Sequence, residues 1–401
     1  MPLMRIIRVF VVLSFLSMSA SVVANHMMVS PATYKQLQKL EALINEGRLD
    51  DAQIRGVNLL KKKVLNSYEK SIIQQMLAGI YIQNENYPPA IKAFQTILSL
   101  DELPKSNLLN IHYTLAQLYM QSEDYNNALN SLKIWLDQTE QAKSEAWHFL
   151  ASIHVAQEQY PEAILPAKKA LALAQVKNES HYQLLLGLYQ RTNKNNPAIQ
   201  LLGKMIERFP ENKEYWMQLF YMLNKVGLEK QALAILDLTY INKLLKDSDE
   251  LVQLAQLHLY HENPLRAAVI LESGMETGTI EVTQSRLQLL SSAWFNAREH
   301  EKLLAVLIRL AKLSGDGLTY YQLAQTYREL SRWHEVINAL HMAFNDKGLK
   351  NTGACYLLMG HAYFELKDYH AAQIAFEKSL SDKRTQSEAK KWIDYTASFI
   401  E

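Results

Sequence analysis

The chain has 401 residues, of which 48% are apolar and 21% are charged, and its formal net charge is +1 at pH 7. A charge balance this close to neutral excludes the concentrated basic surface that nucleic-acid binding requires. The single cysteine, Cys355, excludes an intramolecular disulfide, so packing alone must hold the fold together. Glycine and proline are scarce and good helix formers dominate, which favours a helical protein.

The first 24 residues have the pattern of a secretory signal peptide. Arg5 and Arg8 form a short positive segment, and an apolar run over residues 9–24 ends in small residues that suit signal peptidase. We therefore expect export, with cleavage after Ala24 and no membrane-spanning segment in the mature chain. A retained membrane anchor is the alternative, although the run has only 16 residues and a spanning helix needs roughly 20.

After a lead-in at residues 25–35, residues 36–380 contain a unit that recurs ten times. Apolar residues recur three and four positions apart on both sides of a short polar turn, which predicts two amphipathic helices in a hairpin. Most units have a small residue early in the second helix, where the two helices must approach closely. The ten equivalent positions, 33 to 38 residues apart, are Ala52, Ala90, Ala128, Ala163, Ala198, Ala232, Ala267, Leu303, Val336 and Ala372.

The last unit carries the clearest pattern, at Tyr356, Met359, Gly360, Tyr363, Ala372 and Phe376. These residue types at this spacing resemble the tetratricopeptide repeat (TPR), whose period is about 34 residues. The resemblance implies an all-α TPR α-solenoid, a right-handed superhelix of about ten helix-turn-helix repeats. Residues 381–401 are then a C-terminal capping helix.

Prolines and unusual residues test this division into helices. Most prolines fall at predicted turns, where a missing N–H costs little. Pro166 is the exception, because it falls inside a predicted second helix, where we expect a bend or a late helix start. Leu303 and Val336 depart from the small-residue pattern, so repeats eight and nine fit it least well.

Motifs for catalysis are missing from the sequence. It contains no phosphate loop, dinucleotide fingerprint or nucleophile elbow. His258 and His261 lie three residues apart, but His258 falls in a column that is usually aromatic. We therefore interpret His258 as a buried core residue rather than a metal ligand. We expect a protein that is not an enzyme, with no cofactor, no metal and no small-molecule substrate.

A partner surface is expected on the first helices of the repeats, which line the concave face in TPR arrays. The candidate peptide-binding residues are Tyr113, Gln117, His148, Gln183, Tyr221, Gln256, Gln288, Tyr321, Gln325 and His361. They include neither Lys nor Arg, so the clamp for acidic C-termini found in TPR co-chaperones is not expected. Amides and aromatics suit an extended or helical peptide. The alternative is a polar face that is only solvated.

A closer resemblance spans nearly the whole chain. It rests on the opening Tyr34-Lys-Gln-Leu, the stretch from Leu257-His-Leu-Tyr to Glu281, and the ending from Asp382-Lys-Arg-Thr through Trp392. These segments resemble the exported TPR proteins of Gram-negative bacteria that are encoded beside TonB, ExbB and ExbD. The resemblance implies a periplasmic scaffold that serves this system for iron-siderophore uptake. A TPR factor in envelope, cell-wall or pilus assembly is the alternative, and an enzyme is the third hypothesis.

Overall fold

The computed structural model describes residues 28–346, 349–350 and 352–400. Over these ranges the chain forms 21 α-helices and no β-strand. The predicted signal peptide, residues 1–24, lies outside the described residues. The predicted all-α fold class is confirmed.

The helices alternate between first and second members of ten hairpins. The first helices are α1 (Pro31–Asn45), α3 (Ser67–Gln83), α5 (Lys105–Gln121), α7 (Ser144–Ala156), α9 (Glu179–Arg191), α11 (Lys213–Lys225), α13 (Ser248–Tyr260), α15 (Gln284–Asn296), α17 (Gly317–Glu329) and α19 (Thr352–Glu365). The second helices are α2 (Leu49–Leu60), α4 (Tyr87–Leu100), α6 (Tyr125–Gln138), α8 (Tyr160–Leu173), α10 (Asn195–Arg208), α12 (Glu229–Ile241), α14 (Pro264–Glu276), α16 (His300–Ser314), α18 (Trp333–Phe344) and α20 (Tyr369–Ser379). Helix α21 (Gln386–Ala397) follows the last hairpin. Because α1 starts at Pro31, the end of the lead-in segment 25–35 is helical.

The chain divides into two compact units, with the boundary between Leu201 and Leu202. In the first unit, α2, α4, α6 and α8 each pack against the first helix of the next repeat. In the second unit, α12, α14, α16 and α18 do the same, and α20 packs against α21. Each hairpin thus buries its apolar face against a neighbour, which one hairpin of this size cannot do alone.

The ten aligned small-residue positions mark the closest contact within each repeat. Every one of them is the fourth residue of its second helix. All ten are between 0% and 4% exposed, including Leu303 and Val336. Repeats eight and nine therefore keep the common register despite their larger side chains. At Gly360, on the facing first helix, an added Cβ would overlap the ring of Phe376, which explains the glycine.

The turn inside each repeat has one residue in the left-handed region. These residues, with φ between 53° and 78°, are Gly47, Glu85, Glu123, Glu158, Asn193, Gly227, Glu262, Arg298, Ser331 and Lys367. The residue after each donates its N–H to a carbonyl five residues earlier, as Gln159 does to His154 at 2.8 Å. This closure satisfies a free carbonyl at the end of the first helix and reverses the chain.

Pro166 does not delay or break its helix. Helix α8 runs without interruption from Tyr160 to Leu173, so of the two expected outcomes, a bend or a late helix start, the late start is not observed. The ring of Pro166 is buried. Its packing can offset the hydrogen bond that proline cannot donate. Pro88, Pro161 and Pro264 lie in the first turns of α4, α8 and α14, as their turn positions predicted.

Candidate peptide-binding surface

The ten candidate residues all lie on first helices, but they differ in accessibility. Those of the first unit lie on α5, α7 and α9, and those of the second unit lie on the first helices from α11 to α19. Gln183, Tyr221, Gln256 and Gln288 are exposed, and Tyr221 presents 57% of its surface to solvent. The other six are partly buried: Tyr113, Gln117, His148, Tyr321, Gln325 and His361.

Tyr113 is a packing residue of the first unit. Its ring centroid lies 4.8 Å from that of Trp135 and 5.9 Å from that of Phe149. Burial, together with the negative charge of Glu145, raises the pKa of the Tyr113 hydroxyl. Tyr113 was predicted to be part of the partner surface, but rings from α6 and α7 pack against it, so much of its ring is not available to a partner.

His361 is covered by the C-terminal helix. Its ring centroid lies 4.7 Å from that of Trp392 on α21 and 5.5 Å from that of Phe376 on α20. Burial lowers the pKa of His361, and the nearby carboxylate of Glu388 only partly opposes that effect. While α21 is in place, His361 contributes to the interface of α19, α20 and α21 and does not offer a free surface to a partner.

His258 and Cys355 are both buried, and for His258 this agrees with the interpretation from the sequence. The Nε2 atom of His258 lies 3.0 Å from Oδ1 of Asp237. Nε of Arg266 lies 3.6 Å from the same oxygen. Burial raises the pKa of the Cys355 thiol to about 11, so this thiol stays protonated at neutral pH. Nowhere in the described ranges do three or more His, Cys, Asp or Glu residues meet in a group that could hold a metal ion.

A groove of about 900 Å³ lies between repeats eight and nine in the second unit. We call it the repeat 8/9 groove. Its lining residues are Ser291, Ser292, Phe295, Asn296, Arg298, His300, Leu303, Leu307, Gln322, Gln325, Thr326, Arg328 and Glu329. It therefore includes the candidate residue Gln325, and Gln325 also hydrogen-bonds to Tyr321, another candidate.

The repeat 8/9 groove combines one exposed aromatic ring with several amides. Phe295 is 64% exposed, and Asn296, Gln322 and Gln325 supply both donors and acceptors. Such a surface can bind apolar side chains on the ring and backbone groups on the amides. The groove can thus accept a segment of polypeptide.

Two features of this groove were missing from the sequence prediction. Phe295 lies seven residues after Gln288 on the same helix, so the helical period could have placed it on the same face. The groove also contains Arg298 and Arg328, although the candidate surface was expected to lack cationic residues. Arg328 is 2.7 Å from the carboxylate of Glu329, and their hydrogen bond lowers the pKa of Glu329.

Comparison with known families gives a match in the last hairpin. Residues 354–381, which cover most of the last hairpin, match the family model described as tetratricopeptide repeat. The last hairpin is thus similar to a tetratricopeptide repeat, and the other nine hairpins of the described chain have the same helix-turn-helix arrangement. Comparison with curated proteins gave no match to this sequence.

Solved structures similar to the chain include a tetratricopeptide repeat protein from Parabacteroides merdae, with 15% identity, a TM-score of 0.38, and coverage of 66% of this chain and 99% of that one. A fragment of MamA from Desulfovibrio magneticus is 16% identical, with a TM-score of 0.36, and covers 45% of this chain and 96% of its own. The Naa15/Naa10 complex bound to HypK-THB is 16% identical, with a TM-score of 0.35, covering 92% of this chain and 64% of that one. Among the described helices, none has the length and apolar character needed to cross a membrane.

Proposed function

We propose that this TPR protein is a scaffold that holds an extended segment of a partner protein in the repeat 8/9 groove. The observation that carries the proposal is the exposure of Phe295 in a groove that also presents amides, hydroxyls and the charged side chains of Arg298, Arg328 and Glu329. The ring lies in a groove beside amide donors and acceptors, so an apolar side chain of a partner can cover it while the partner's backbone binds the amides.

The chemistry of the groove fits a polypeptide chain. An extended peptide presents one N–H and one C=O per residue, and a glutamine side chain can serve both. Phe295 supplies a ring that buries much area while losing little conformational freedom. Among the lining residues Arg328 is paired with Glu329, so Arg298 leaves the groove with a positive charge. A partner segment with an acidic side chain near its apolar anchor therefore fits better than a basic one.

We propose further that the partner lies in the cell envelope and belongs to the TonB–ExbB–ExbD system. Support comes from the signal-peptide pattern and from the three segments that resemble exported TPR proteins of that group. The second candidate is a factor in envelope, cell-wall or pilus assembly, which the same pattern of export would serve.

Affinity capture with the mature chain from envelope extracts tests which system the partner belongs to, and variants of the groove then test where it binds. Recovery of TonB, ExbB or ExbD supports the first candidate, whereas recovery of assembly factors supports the second. Binding of the captured partner should weaken in Phe295→Ala by about 1–2 kcal/mol, which is roughly 5- to 30-fold in Kd. Tyr221→Ala, an exposed residue elsewhere on the first helices of the second unit, shows whether the contact extends beyond the groove.

The matched control is Ile374→Ala, because Ile374 is 55% exposed on the second helix α20. It should bind as the wild type does. Tyr113→Ala is unsuitable for this test, since loss of its packing would confuse binding with stability. Equal affinity of the wild type and Phe295→Ala would show that the repeat 8/9 groove does not hold the partner.

A further inference from the structure

Two histidines from neighbouring repeats meet in the first unit. His148 on α7 and His181 on α9 have ring centroids 5.4 Å apart, with the ring planes at 76°. Both side chains are partly buried, so solvent can still reach the pair. The proposed peptide groove in the second unit does not use these residues.

The hydrogen bonds of Ser144 determine which ring nitrogen of His181 carries the hydrogen. Its Oγ donates to the carbonyl oxygen of Ala170 at 2.8 Å, and it lies 3.2 Å from Nε2 of His181. A serine hydroxyl has one hydrogen to donate, so Nε2 of His181 must donate to Oγ. The other nitrogen, Nδ1, then carries a lone pair in the neutral ring. This Nδ1 atom is buried and has no hydrogen-bond partner among the described residues.

We propose that His148 and His181 form a two-histidine site for a divalent transition-metal ion of the Zn²⁺, Cu²⁺ or Ni²⁺ class. Metal-binding histidines commonly donate their second ring nitrogen to a neighbouring oxygen, which orients the ring, and Ser144 accepts such a bond from His181. Nδ1 of His181 supplies one ligand, and the acceptor nitrogen of a neutral His148 supplies the second.

The distance between the rings agrees with a shared ion. Two imidazoles bound to one tetrahedral ion, at metal–nitrogen distances of about 2.0–2.1 Å, have centroids roughly 5 Å apart. The observed separation of 5.4 Å is close to this value. Imidazole nitrogens select borderline transition metals over Mg²⁺ or Ca²⁺, which require oxygen ligands.

The site is incomplete within this chain. No third His, Cys, Asp or Glu of the described residues joins the pair, so water or a partner side chain must fill the remaining positions. Such a site binds more weakly than a structural zinc site with four protein ligands. No metal was expected from the sequence, and His148 and His181, 33 residues apart, match none of the spacing motifs of metal sites.

Zinc titration of the mature chain, prepared without a polyhistidine tag, tests this proposal by calorimetry at pH 7.5. The wild type should bind one more equivalent of Zn²⁺ than His181→Gln or His148→Gln. Ser144→Ala should keep the site but bind Zn²⁺ about tenfold more weakly, because it loses the group that orients His181. Zinc should also raise the melting temperature of the wild type more than that of either histidine variant.

His334→Gln is the control, since His334 is exposed on α18 and far from the pair in sequence. It should bind Zn²⁺ as the wild type does, and Mg²⁺ should give no comparable heat with any variant. Circular dichroism establishes that each variant is folded. If the wild type and both histidine variants, all folded, bind Zn²⁺ with the same stoichiometry and affinity, the proposal is wrong.

Discussion

Glu69 connects the start of the described chain to the second repeat. Its carboxylate accepts hydrogen bonds from the backbone N–H and Oγ of Ser30, at 2.9 and 2.8 Å, and from the N–H of Asn66 at 3.0 Å. The side chain is nearly inaccessible, with 1% exposure. One buried carboxylate therefore satisfies donors that precede both α1 and α3.

Replacement of Glu69 by alanine should lower the free energy of unfolding by about 1–3 kcal/mol, because the donors that precede α1 and α3 lose their charged acceptor. Chemical denaturation followed by circular dichroism measures this change. Glu41→Ala, at an exposed position on α1, is the matched control and should change stability by less than about 0.5 kcal/mol. If the two variants unfold at the same denaturant concentration, Glu69 does not have this structural role.

His361 makes the stability of the C-terminal region depend on pH. Burial holds its folded pKa below the ordinary value of 6.5, so the folded state binds fewer protons than the unfolded state. Stability is therefore lost as the pH falls below about 6.5. His361→Phe keeps a ring against Trp392 and removes the titration. The melting temperature should fall less between pH 7.5 and pH 5 in His361→Phe than in the wild type. An equal fall in both proteins would contradict this account.

At the residue scale, the sequence could place buried residues better than exposed ones. His258 was interpreted correctly as buried because it shares a column with aromatic residues of other repeats. Tyr113 was misplaced because the rings that cover it, Trp135 and Phe149, come from two other helices. Helical spacing states which side of a helix a residue occupies, but it does not state what lies opposite.

At the scale of the helical hairpin, the small-residue position was predictable and the turn was not. Close helix contact demands a small side chain, and this demand recurs visibly along the sequence. By contrast, the left-handed turn residue is glycine only at Gly47 and Gly227. The other eight turns use Asn, Ser or charged residues, whose left-handed conformation costs energy. The backbone hydrogen bond that closes each turn holds the residue in that conformation. The type of residue at the turn therefore does little to predict where the turn lies.

The close contact also sets a limit on side-chain size. Ala128 is 0% exposed at the fourth position of α6, so Ala128→Leu should destabilise the protein by about 1–3 kcal/mol through overpacking. Thermal unfolding measures this loss. Asn130→Leu is the matched control because Asn130 is exposed on the same helix. Asn127 is less suitable, since its side chain bonds to Asp124 at 2.7 Å. Equal melting temperatures for Ala128→Leu and the wild type would mean that the register is wrong.

At the scale of the whole molecule, the repeat number and the fold class followed from periodicity, whereas the binding surface did not. A repeated column identifies what is common to all repeats, but a binding groove depends on what differs between them. Phe295 and Arg298 distinguish repeat eight, and no column analysis of the other repeats could single them out. The proposed two-histidine site likewise depends on residues that differ between repeats, since it consists of two particular histidines in adjacent repeats.

The central functional claim is that a partner lies in the repeat 8/9 groove, and site-specific photocrosslinking in living cells tests it most directly. A photoreactive phenylalanine analogue replaces Gln325 in the groove or, in the matched control, Ile374 on the second helix α20. The account predicts a discrete crosslinked partner from position 325 and none from position 374. A crosslinked partner from position 374, with none from position 325, would contradict it.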